Sequence, residues 1–91
     1  MESKLGVVMD PKDSIATAIV DIEEGDWVSV KRAKTIKRVK ALERIPFGFK
    51  IALQDISQGE PIIKYGEVIG KASSAIKEGA LVHVHNVEGS R

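Results

Sequence analysis

Apolar positions along this chain come in short runs, each closed by a polar turn, and three of those turns repeat one phrase. The copies are Asp21-Ile22-Glu23-Glu24-Gly25-Asp26, Asp55-Ile56-Ser57-Gln58-Gly59-Glu60 and Ala75-Ile76-Lys77-Glu78-Gly79-Ala80. In each, an isoleucine precedes two polar residues and a glycine, and an apolar run follows: Trp27-Val28, Pro61-Ile62-Ile63 or Leu81-Val82. The isoleucine can anchor the turn in a core, while glycine takes the positive φ that a tight turn before a strand often demands. The isoleucines are spaced 34 and then 20 residues apart, too irregular for a solenoid.

Around these turns the pattern predicts strands. Ile15-Ala16-Thr17-Ala18-Ile19-Val20 is rich in β-branched residues and reads as the opening strand, preceded by a loose or weakly paired arm within 1–13. Trp27 to Val30 alternates, which points Val28 and Val30 inward and Trp27 outward. Between Lys31 and Arg44, Ile36, Val39 and Leu42 recur every three residues and would also suit a helix. The β-branched Thr35, Ile36 and Val39 and the flanking strands favour extended structure there. Ile45-Pro46-Phe47-Gly48 then halts any helix. Lys50 to Leu53, Ile62 to Tyr65 and Val68 to Gly70 read as short strands, with a turn at Gly66. The last run, Leu81 to Asn86, reads as a strand with Val82 and Val84 on one face and His83 and His85 on the other. Many short strands joined by turns imply an all-β domain of clip or partial-barrel type from 14 to 87, with a loose tail from 88 to 91.

Composition narrows the function. Ninety-one residues with 43% apolar content make one small core, and a formal charge of +1 argues against a global attraction to nucleic acid or anionic membrane. The charge is uneven, with seven cations against the single acid Glu43 between Lys31 and Arg44. That run suits a solvated strand edge protected by lysines, or attraction of an acidic partner. Aromatic groups are not interleaved there, as single-stranded nucleic acid would require. The absence of cysteine excludes disulfides and thiolate metal sites. With no signal-like start and no apolar run of spanning length, the cytoplasm is the expected compartment.

The stretch Ile45-Pro46-Phe47-Gly48-Phe49-Lys50-Ile51-Ala52-Leu53, then Asp55-Ile56, Gly59-Glu60-Pro61-Ile62-Ile63-Lys64-Tyr65-Gly66, Ile69-Gly70 and His83-Val84-His85-Asn86, resembles the SAF domain of altronate and galactarate dehydratases. The resemblance implies a β-clip fold, also seen in type III antifreeze proteins. It further implies a role beside a much larger catalytic portion that removes water from a sugar acid, commonly with a divalent metal such as iron or manganese. A related two-subunit enzyme, sulfolactate sulfo-lyase, pairs a similar small subunit with a large one. Relatives usually read Gly-His-Lys where this chain reads Gly48-Phe49-Lys50, and phenylalanine can neither transfer a proton nor bind a metal.

Dehydrating a hydroxy acid requires a base for the proton beside the carboxylate, positive charge for the enediolate, and an acid for the departing hydroxyl. His83 and His85 are the candidate catalytic groups, or else exposed strand residues. Lys50 and Lys64 lie in matched motifs where an ammonium could hold a substrate carboxylate, or they are ordinary solvated lysines. Asn86 either binds a hydroxyl or ends the strand. His-Val-His alone lacks the three or more ligands a metal site needs, so no metal or other cofactor is assigned to this chain by itself. The expected role is a small subunit that docks on a large dehydratase subunit and lends residues to its site. The alternatives are a non-catalytic binding module for carbohydrate acids or protein, and a sulfo-lyase small subunit. Self-association is compatible with each.

Overall fold

The computed structural model describes residues 4–8, 10, 12–32, 34–83 and 85–89. Among them are nine strands and no helix: β1 Lys4–Val7, β2 Ile15–Ala18, β3 Trp27–Arg32, β4 Thr35–Lys40, β5 Lys50–Ala52, β6 Pro61–Lys64, β7 Glu67–Ala72, β8 Leu81–Val82 and β9 Val87–Glu88. The all-β reading therefore holds, and the ambiguous segment is the strand β4. Six strands form one sheet in the order β4-β3-β1-β2-β5-β8, and a smaller sheet runs β6-β7-β9. Pairing is antiparallel except between β1 and β3.

Two expectations are corrected here. Within the segment expected to be loose or weakly paired, Lys4–Val7 is a full strand, paired with both β2 and β3 inside the large sheet. Its Gly6 permits this, because a Cβ there would press on Val30, Ala16 and Val28 at 3.2–3.5 Å, so the strand settles close on the core. The run from Leu81 is also a strand only as far as Val82, and His83, His85 and Asn86 lie outside any strand; Val84 lies outside the described residues.

Strand alternation divides the interior in two. Ala16, Ala18, Ile51 and Leu53 join Val28, Val30 and Val39 in one core, while Ile15 and Ala52 point the other way into a second core with Ile62, Ala72 and Val82. The smaller sheet thus covers only part of the second face of β2 and β5.

The turn phrase occurs four times. Each copy extends four residues back to an alanine: Ala18–Ile22–Gly25, Ala41–Ile45–Gly48, Ala52–Ile56–Gly59 and Ala72–Ile76–Gly79. Copies pair first with second and third with fourth. Ile22 and Ile45 exchange backbone hydrogen bonds of 2.9 and 2.8 Å, and Ile56 and Ile76 exchange two of 2.7 Å. Each turn's glycine N–H donates to the alanine carbonyl of the partner copy, at 2.8–2.9 Å, and that alanine's N–H donates back to the residue after the glycine. Asp21 and Asp55 accept from the N–H of Phe47 and Glu78, at 2.9 Å in both cases, again at matching places. The four glycines have φ between 84° and 92°. Two reciprocal turn pairs, each with buried isoleucines, thereby fix where β5 and β8 begin.

The small sheet turns at Tyr65-Gly66, where φ is 55° and 75°, the double positive φ of a tight hairpin. Asp13 holds that turn by accepting from the Gly66 N–H at 2.8 Å, and Ser14 Oγ accepts from the Ile63 N–H at 2.9 Å. These contacts fasten β6 beside β2. No helix among the described residues is long and apolar enough to cross a membrane.

Candidate lysine and histidine site

Three elements bring the predicted site residues together. Lys50 opens β5 directly after the second turn copy, and in the pairing of β5 with β8 it faces Val82, so His83 follows beside it. Lys64 closes β6, whose attachment through Ser14 and Ile63 carries it to Lys50. A small open cavity of about 90 Å³ is lined by Gly48, Phe49, Lys50 and His83.

The charges there are unbalanced. Burial, then the nearby Lys64 charge, then a hydrogen bond with Lys64 lower the Lys50 pKa below the ordinary lysine value. Among the described residues the ion pairs are Lys37 with Glu78 and Arg44 with Glu23, so neither Lys50 nor Lys64 has a carboxylate partner. Partial burial and a neighbouring like charge both disfavour the charged form of Lys50, which is the physical cause of the shift. The Lys64 ammonium also lies 4.8 Å from the centre of the Tyr65 ring, a cation–π contact that tethers it at the turn.

The histidines do not share a strand face, yet the turn still gathers them. Their ring centres are 6.2 Å apart, and both side chains are exposed. The turn is built by Asn86, which is 8% exposed. Its Oδ1 accepts from the His83 N–H at 2.9 Å, its Nδ2 donates to the Leu81 carbonyl at 2.8 Å, and its own N–H donates to the His83 carbonyl at 3.0 Å. Of the two roles expected for Asn86, ending the strand is the one these contacts perform. Phe49 packs against His83, with ring centres 4.8 Å apart and the planes tilted by 39°. It backs the imidazole with an apolar surface. The sequence flagged Phe49 as a departure, but its contact with His83 spans 34 residues and had no local signal.

Among the described residues no three histidine, cysteine, aspartate or glutamate side chains converge as a metal site. Two histidines without a carboxylate do not fit a divalent cation by themselves.

Comparison with known proteins settles the lineage. The altronate/galactarate dehydratase SAF domain family matches residues 4–90. The chain belongs to that family. This SAF chain is 34% identical over 90 residues to the (2R)-sulfolactate sulfo-lyase subunit alpha of Chromohalobacter salexigens, covering 93% of this chain and 94% of that one. It is 40% identical over 74 residues to the altronate dehydratase of Escherichia coli, covering 81% of this chain and 14% of the enzyme. The Bacillus subtilis altronate dehydratase is 38% identical over 82 residues, covering 85% and 15% respectively. The SAF chain therefore spans nearly all of a lyase subunit and about a seventh of the dehydratases.

Proposed function

We propose that this SAF chain is a non-autonomous small subunit of a cytoplasmic sugar-acid dehydratase, docking on a large catalytic subunit and completing its active site. The observation that carries the reading is Lys50, close to Lys64 and without a carboxylate partner among the described residues, lining an open cavity with His83, whose ring lies 6.2 Å from that of His85. A cavity of about 90 Å³ is too small to enclose a sugar acid, so the remaining walls belong to another chain.

In this scheme the lysines hold the carboxylate of an altronate- or galactarate-type substrate. A base takes the proton from the carbon beside it, and the electron pair moves into the carboxylate as an enediolate, stabilised by the two ammonium charges. Collapse of the enediolate expels the neighbouring hydroxyl, which leaves as water once protonated. His83 and His85 are the proton carriers on this wall, and Phe49 keeps water from one face of His83. Asn86 positions them. An iron or manganese ion, if the complex holds one, takes its ligands from the large subunit.

One observation favours a second reading. The likeness that runs the full length of both chains is to a sulfo-lyase subunit, in which the leaving group would be sulfite and the lysine pair would serve a carboxylate or sulfonate equally well. The test is to produce the chain together with a large dehydratase or sulfo-lyase subunit from the same source, and to assay altronate, galactarate and sulfolactate with each component alone and both together. Elimination by the mixture alone is expected, and the preferred acid decides the leaving group. Equal rates with and without this chain would sink the proposal, and acid binding without turnover would leave a binding module.

A further inference from the structure

The small sheet covers the second face of the large sheet only in part, and the uncovered part around β3 and β4 carries an unusual set of residues. Register and alternation place Trp27, Ser29 and Lys31 of β3 beside Lys40, Arg38 and Ile36 of β4, opposite to the buried Val28, Val30 and Val39. Leu5 of β1 lies next to Ser29, and the Ile19 N–H donates to the Leu5 carbonyl at 3.3 Å. Four large apolar side chains thus share one outer face, with exposures of 52% for Leu5, 40% for Ile19, 39% for Trp27 and 68% for Ile36. Arg38 lies over the Trp27 ring at 5.2 Å.

The charge on this face has one sign. None of the six strands of the large sheet contains an aspartate or glutamate. Lys37, which points to the other side of β4, is paired with Glu78 at 3.1 Å, whereas Lys31 and Lys40 have no carboxylate partner among the described residues. β3 and β4 with six residues each, and β1 and β2 with four each, lie about 4.8 Å apart and give a mixed apolar and cationic face of roughly 300 Å². That is somewhat less than half of what one partner buries in a stable complex. Further surface lies alongside. On β2, Thr17 is two residues from Ile19, and Thr17 pairs with Lys50, so the register puts Lys50 on this same side of the sheet.

We infer that this face, centred on Trp27 with Leu5, Ile19, Ile36, Arg38 and Lys40, is the surface that docks the large lyase subunit, through an apolar patch ringed by acidic residues on that subunit. The inference rests on the subunit reading above and adds where the contact is made. A partner seated here covers Trp27 and extends along the sheet to Lys50, at the rim of the cavity that His83 also lines. Aromatic and arginine side chains at the centre are the usual carriers of binding energy, and the lysines and arginine set the attraction and its salt dependence.

The chain has a single tryptophan, so the test uses 5-fluorotryptophan-labelled protein titrated with the unlabelled large subunit. The fluorine signal of Trp27 is expected to shift on binding. Trp27→Ala, followed by a dye at a surface site, is expected to weaken binding at least about 30-fold. Ile36→Asp with Lys40→Glu, both at exposed positions that leave the fold intact, is expected to weaken it at least about 10-fold and to flatten its salt dependence. Undiminished binding by these folded variants overturns the inference while leaving the subunit reading in place. Binding that needs this face but gives no turnover of any hydroxy acid keeps the inference and removes the dehydratase reading. A wild-type chain that does not bind the large subunit, or a Trp27 signal that shifts with this chain's own concentration, overturns it outright.

Discussion

Alanine at Gly79 and at Gly25 imposes the same backbone strain but different crowding, which makes the pair a quantitative test of the fourfold turn. Both glycines occupy the same place in the repeat, with φ of 92° and 89°. A non-glycine residue held there costs about 1–2 kcal/mol. Around Gly25 there is open space for a Cβ, whereas a Cβ on Gly79 would meet the backbone carbonyl oxygen of Lys40, with the Leu42 side chain 3.3 Å away. A backbone atom gives way less readily than a side chain, and crowding of this kind adds about 1–3 kcal/mol. Gly25→Ala is therefore expected to cost about 1–2 kcal/mol and Gly79→Ala about 2–5 kcal/mol. In a domain of this size each kcal/mol lowers Tm by about 4–8 °C. Urea unfolding followed by Trp27 fluorescence reads both. Any effect of alanine on the unfolded chain is common to the two variants and cancels in the difference. The reasoning is refuted if Gly79→Ala is no less stable than Gly25→Ala.

Lys50→Met is expected to stabilise the isolated chain near neutral pH, since it removes a poorly solvated charge beside Lys64. Because the folded-state pKa of Lys50 is lowered, the unfolded chain binds more protons between that value and the ordinary lysine pKa of about 10.4. Wild-type stability should gain on the variant as pH rises through that window, and parallel stability curves would contradict the shift. Asn86→Ala should cost about 1–3 kcal/mol, because it removes the side-chain bonds to His83 and Leu81 and leaves buried backbone groups unpaired; thermal unfolding together with histidine ring NMR signals checks it. In the reconstituted complex, His83→Ala should lower kcat by about 10²–10⁴-fold if His83 carries a proton. Unchanged turnover by that folded variant would assign the role elsewhere.

Much of the fold was legible because its information is local. Isoleucine, two residues and glycine before an apolar run identified three turns, and alternation at Trp27 to Val30 gave the correct inward pair. The fourth turn was hidden: Ile45-Pro46-Phe47-Gly48 fits the spacing, but its proline and phenylalanine replace the polar residues that mark the other copies. The three-residue spacing of Ile36, Val39 and Leu42 was misleading because only Val39 is a core residue, while Ile36 and Leu42 are exposed. β1 was missed since a four-residue strand with a glycine carries almost no periodic signal, and its place comes from neighbours on both sides.

The candidate site's residues could be named from the motifs, whereas their arrangement could not. Lys50, Lys64, His83 and His85 were each marked by motif, but their convergence depends on Ser14 fastening β6 and on Asn86 folding the histidine turn. Asn86 is itself the clearest example. Its side chain type suited a substrate contact, and its burial and its bonds make it a structural clamp.

The central claim is that Lys50 and Lys64 form the anion-holding part of a shared active site. The most direct measurement is the Lys50 titration by NMR of its side-chain nitrogen, in the free chain and in the complex with the large subunit, with and without galactarate. Lys50 should titrate below an ordinary lysine in the free chain, and its pKa should rise when the dicarboxylate binds. A Lys50 that titrates as an ordinary lysine and does not respond to the acid would contradict the account.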